Sequence, residues 1–141
     1  MAGSSMAFTY DRGPGPIVRV VADWVSDDAD GTASGTTTVK VSGRSIKAIT
    51  NPGAAAPDAN YDIAITGEES VDVLGNVQTG LGNRHTSTTE ETYFLVKDAA
   101  PLAQSIHPVV CSELTVAVSN AGNSKAGKLV LFIEGQLSGS F

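Results

Sequence analysis

Thr50-Asn51-Pro52-Gly53, then Tyr61-Asp62-Ile63-Ala64-Ile65-Thr66, then Gly67-Glu68-Glu69-Ser70 and Val71-Asp72-Val73-Leu74: from Thr50 to Leu74 the chain reads turn, strand, turn, strand. Pro52 stands where a type I or II turn wants φ near about −65°, and Gly53 where a type II turn needs positive φ. An Ala/Pro loop follows, Ala54 to Asn60. In the strand, Tyr61, Ile63 and Ile65 point one way and Asp62, Ala64 and Thr66 the other, because successive strand side chains alternate. Nothing in this stretch is chemically reactive. It specifies a β domain and is silent about function.

The same alternation extends outward in both directions. Ile17 to Ser26 sets Val18, Val20, Ala22 and Trp24 on one face and Arg19 and Asp23, with Ile17, Val21 and Val25, on the other. Trp24 is the only tryptophan and reads as a core anchor, since its ring buries a large area of defined shape; the competing role is a ring that stacks on a ligand. Gly35 to Val41 is a Thr/Val strand with Thr37, Val39 and Val41 on one side; Ser42-Gly43 reads as a turn, and Ile46 to Thr50 as the next strand. Thr92 to Lys97 is apolar on both faces, which predicts burial on two sides. Ser112 to Ser119 and Lys128 to Glu134 alternate well and read as a hairpin with a long Asn120–Gly127 loop. No segment carries the i, i+3, i+4 period of a helix. The expected fold is all-β, an antiparallel β-sandwich or jelly roll of seven to eight strands. Residues 17–134 form the domain, 1–16 an N-terminal arm broken by Asp11-Arg12-Gly13-Pro14-Gly15-Pro16, and 135–141 a C-terminal tail. Ala7 to Tyr10 reads either as a short added strand or as an extended contact to a neighbour.

At 141 residues with 41% apolar content, the chain fits one domain with a real core. The net charge of −6 repels phosphate, so no nucleic-acid partner is expected. A single cysteine, Cys111, rules out an intrachain disulfide scaffold. Met1 to Met6 lacks the basic region and apolar run of a signal peptide. No apolar run approaches the roughly 20 residues of a membrane helix. The expectation is a protein folded in a cytoplasm, with no membrane partner, that leaves the cell only by another route, such as inside a particle released by lysis.

Candidates for chemistry are few. His85, His107 and Cys111 are the soft ones. A Cys–His pair would activate the thiol, but on a strand a spacing of four puts His107 and Cys111 roughly 13 Å apart. Cys111 follows Val109-Val110 and reads as a buried, inert thiol. Asp27-Asp28-Ala29-Asp30-Gly31 gathers three carboxylates that suit a Ca²⁺ loop; it lacks the later bidentate Glu and flanking helices of an EF-hand and reads as a solvated hairpin tip. The glycines of Gly75 to Ser87 resemble a phosphate loop, but no Gly-Lys-Ser/Thr follows. Arg84 and His85 there read as surface contacts. Gly-x-Ser-x-Gly, His-Glu-x-x-His and Cys-x-x-Cys are all missing. The expectation is a non-enzyme with no catalytic, metal or cofactor-binding residues.

One resemblance bears on function. Trp24 before an Asp/Gly tip, a Thr-rich strand, Ser42-Gly43, Thr50-Asn51-Pro52-Gly53, Asn60-Tyr61-Asp62-Ile63, Asp72-Val73-Leu74, Val118-Ser119-Asn120-Ala121-Gly122 and Gly127-Lys128-Leu129-Val130-Leu131 occur in an order that resembles small virion proteins of tailed bacteriophages. It covers about Ile17 to Ile133, and Asn-Pro-Gly and Asn-Tyr-Asp are its most specific parts. It implies a structural role, from capsid decoration to head–tail or tail components, and no catalytic residue. The expected protein is a homo-oligomer, with a trimer favoured, that cements the outside of the head by binding the major capsid protein or other virion proteins. Copies would bury the apolar surfaces of Thr92–Lys97 and Lys128–Glu134, and Met1 to Tyr10 would reach a neighbour. The alternatives, in order, are another virion component, a carbohydrate- or host-surface-binding module using Trp24 or the Gly75–Ser87 loop, and a small hydrolase using Cys111 and His107.

Overall fold

Alternating apolar residues drive the described parts of this chain into strands. The computed structural model describes residues 4–12, 15–58, 61–67, 91–94, 97–99, 104–106 and 109–138, the segments from 91 to 109 through their backbone alone. Eleven strands occur among the described residues. They are β1 (Ser5–Arg12), β2 (Ile17–Val25), β3 (Ala33–Thr36), β4 (Lys40–Pro52), β5 (Asp62–Thr66), β6 (Glu91–Phe94), β7 (Lys97–Ala99), β8 (Gln104–Ile106), β9 (Val109–Ser112), β10 (Thr115–Ser119) and β11 (Ala126–Ser138). The larger sheet runs β1-β2-β11-β4-β6, and β9 also pairs with β4; a three-stranded sheet runs β3-β10-β5, and β7 pairs with β8. All described pairings are antiparallel. The fold is all-β and sandwich-like.

The two main sheets meet across one apolar core. Val18, Val20, Ala22 and Trp24 of β2 and Leu129, Leu131 and Ile133 of β11 face Ile63 and Ile65 of β5 and Val116 and Val118 of β10. Each such side chain contributes about 1.5–3 kcal/mol when fully buried. Trp24 is 1% exposed and packs against Tyr61, ring centroids 5.7 Å apart. It is the core anchor that its place on the apolar face of β2 predicts. Gly127, directly across from Trp24, has no room for a side chain: a methyl there would overlap the indole.

Two buried hydroxyls hold the places where the chain crosses between sheets. Thr37, between β3 and β4, donates its hydroxyl to Val39 O (2.8 Å) and accepts from Leu114 N (2.9 Å). Its own N–H donates to Leu114 O. Ser26, after β2, donates its hydroxyl to Gly122 O (2.6 Å) and accepts from Lys125 N (2.8 Å). Both side chains are fully buried with hydrogen-bond partners, which burial demands of them.

Several expectations are corrected. Ser112–Ser119 and Lys128–Glu134 do not form a hairpin: β10 lies in the smaller sheet and β11 between β2 and β4 in the larger one. Ser42-Gly43 is no turn but part of β4, where Gly43 (φ 147°) passes backbone to backbone against Gly135. Asn51 and Pro52 continue β4 opposite Lys128 and Gly127, and Gly53 does not take the positive φ of a type II turn. Proline is accommodated there because it ends the strand. The Asp27–Gly31 tip joins β2 to β3, in different sheets, so it is a crossover and not a hairpin. Of the two readings of Ala7 to Tyr10, the added strand is the one seen, and it is longer than expected: Ser5–Arg12 pairs along its whole length with β2, from Ser5 opposite Val25 to Arg12 opposite Val18. The ordered sheet thus begins before Ile17, and β11 carries it on to Ser138.

Candidate functional site

Among the described residues, the outer face of the larger sheet, turned away from the core, carries a regular pattern of side chains. Because residues directly opposite in antiparallel strands share a face, the registers line its side chains up in rows. The middle row is Thr9, Val21, Val130 and Ile49, on β1, β2, β11 and β4 in turn. Val21, Val130 and Ile49 are half-buried, and Val25, on the same face of β2, is 37% exposed. An outer sheet face facing water would carry polar residues in these places.

Charge flanks the apolar row on both sides. One adjacent row is Asp11, Arg19, Phe132 and Lys47. Arg19 pairs with Asp11 at 3.2 Å, and the Lys47 ammonium sits 4.7 Å from the centre of the Phe132 ring. The other adjacent row is Ala7, Asp23, Lys128 and Asn51, with Lys128 to Asp23 at 3.8 Å. These pairs are about half exposed, so each adds at most ~1 kcal/mol to stability. Beyond them Arg44 pairs with Glu134, next to a bulge that leaves Ile46 without an opposite residue in β11.

The individually suspected residues fall elsewhere. Trp24 is sealed in the core and offers no ring to a ligand. Cys111 is exposed, not buried, with Ser42 Oγ 3.9 Å from its sulfur; on β9 it is Val110 that faces inward, and parity turns Cys111 out. Arg84, His85, the rest of Gly75–Ser87 and His107 lie outside the described residues, as do the side chains of Thr92–Lys97. In the Asp27–Gly31 crossover the carboxylates serve the backbone: Asp27 Oδ1 accepts from Ala29 N (2.7 Å), and Asp30 Oδ1 from Thr32 N (3.1 Å) and Thr32 Oγ1 (2.8 Å). Among the described residues no group of three or more His, Cys, Asp or Glu is placed to hold a metal ion.

Two shallow cavities open at the ends of the larger sheet. One, about 540 Å³, is lined by Arg12, Val18, Glu134 and Leu137, and the Arg12 guanidinium there donates to Leu137 O at 2.6 Å. The other, about 500 Å³, lies by Asp23, Asn51 and Lys128. What sequence reading missed is the breadth of the outer face. It named the apolar surface of Lys128–Glu134, and apolar residues also stand on the outer side of β2 at Ile17, Val21 and Val25, but the rows depend on pairing between distant strands. Comparison with protein-family models, with curated proteins and with solved structures gives no match.

Proposed function

We propose that this chain is a non-enzymatic structural protein of a tailed-phage virion, a decoration or cement protein that binds the outside of the assembled head and stabilises it. The observation that carries the reading is the outer face of the larger sheet, an apolar row between two charged rows, which suits a subunit that works by packing. The order of sequence elements resembling small phage virion proteins supports it. The sheet order, β1-β2-β11-β4-β6 with β9 also on β4, against β3-β10-β5, is compatible with a jelly roll, an architecture found in viral capsid and lectin domains among others.

In this reading the protein works as a homo-oligomer whose copies meet through this face. Strand β1 brings Ala7, Thr9 and Asp11, all exposed on the outer face, to the neighbour contact expected of the N-terminal segment, while Met6 and Phe8 pack against the core of their own chain. Binding the assembled shell and not free subunits stabilises the shell by mass action, and symmetry multiplies a weak contact into a strong one. Heating, or diluting into low salt, particles with and without this protein tests the role. The decorated particles should retain their DNA under conditions that empty the bare ones. Equal resistance refutes cementing and leaves a head–tail or tail component, which its position in the particle would reveal.

A further inference from the structure

We propose that the outer face of the larger sheet pairs with the same face of a second copy, about a two-fold axis that runs parallel to the strands between β2 and β11. Such an axis exchanges β2 with β11 and β1 with β4 while keeping every row in place. The charges of the face are arranged with opposite signs at exchanged positions. Asp23 of β2 lands on Lys128 of the second copy, and Lys128 on its Asp23. Asp11 of β1 lands on Lys47 of β4. Arg19 lands on the Phe132 ring, a cation–π arrangement of the kind Lys47 already makes within one chain. In the middle row Val21 lands on Val130. No like charges meet among these positions, which is what an isologous interface requires of one patch used twice.

Size and geometry fit as well. Four strands spaced about 4.8 Å apart and five rows about 7 Å apart give a footprint on the order of 500 Å² in projection. That is near the roughly 800 Å² of accessible surface that each partner buries in a standard interface. Two sheets stack face to face about 10 Å apart with strands aligned to within about 30°, which brings the half-buried valines into contact and sets the charged rows around them. The pairing rests on the self-association proposed above and not on location in a virion.

Sedimentation of the full chain and two charge variants tests it. The wild-type chain should sediment with the mass of two copies or an even multiple. Asp23→Lys and Lys128→Asp each set like charges against each other across the axis. Each alone should weaken the pair at least tenfold, while far-UV circular dichroism, and melting at concentrations where the wild type is dissociated, stay as in wild type because both side chains are about half exposed. Mixed in equal amounts, the two variants should pair again, since each substituted position then meets an opposite charge on the other chain. Val130→Glu, in the middle of the face, should abolish pairing of any mixture. A wild-type monomer at every concentration, a mass of three copies, or variants that fail to pair when mixed would overturn the proposal. A chain that pairs in this way but is absent from particles would remove the virion reading alone.

Discussion

Thr37 shows how one hydroxyl can decide a corner of the fold. Its oxygen accepts from Leu114 N and its proton goes to Val39 O, so both crossovers at that end depend on it. Thr37→Val keeps the shape and leaves the buried Leu114 N–H without its partner, which costs about 1–3 kcal/mol. Urea unfolding should show that loss, and Thr37→Ser should recover most of it; an unchanged midpoint for the valine variant would mean that water or another group takes over. The inward direction of Thr37 was legible from its alternation with Val39 and Val41. That the strand breaks there was not, because a Thr in a β-prone run gives no local sign that its hydroxyl will bind backbone. Trp24 was legible for the same reason as Thr37: parity along β2. Cys111 was misread because two valines before it suggested an interior, whereas parity on β9 buries Val110 and turns the thiol outward.

Among the elements, β11 carries most of the fold. Its thirteen residues pair with β2 on one side and β4 on the other. Its alternation was plain in the sequence, and so was its apolarity on both faces. Its partners were not, because hydrophobic period fixes which face a side chain takes and says nothing about which distant strand lies alongside. The nearest strand in sequence, β10, was the natural guess and belongs to the other sheet. Turn signals at Ser42-Gly43 and Asn51-Pro52-Gly53 were overridden for a related reason: glycine there permits close passage of Gly135, and proline closes a strand end. The two faces of β11 should respond differently to substitution. Leu131→Ala opens a cavity in the core and should cost about 2–5 kcal/mol. Val130→Ala, on the half-buried outer face, should cost the isolated chain less than about 1 kcal/mol. Equal losses measured below the concentration of self-association would mean that the outer face is already covered within one chain.

For the molecule as a whole, the fold class was in the sequence and the patterned outer face was only half there. Short alternating strands and frequent turn residues made an all-β, sandwich-like body the consistent outcome. The outer face emerges only when β1, β2, β11 and β4 are laid side by side, since each strand contributes one apolar or one charged position to every row. The proposed function rests on that surface: a body that adheres through a patterned sheet, if repeated over a symmetric shell, would gain strength from number. A density map of intact particles made from the genome that encodes this chain tests that claim most directly. It should show copies of this sandwich bound to the outer surface of the head. Particles complete in every other respect, with no copy of this protein on them, would contradict it.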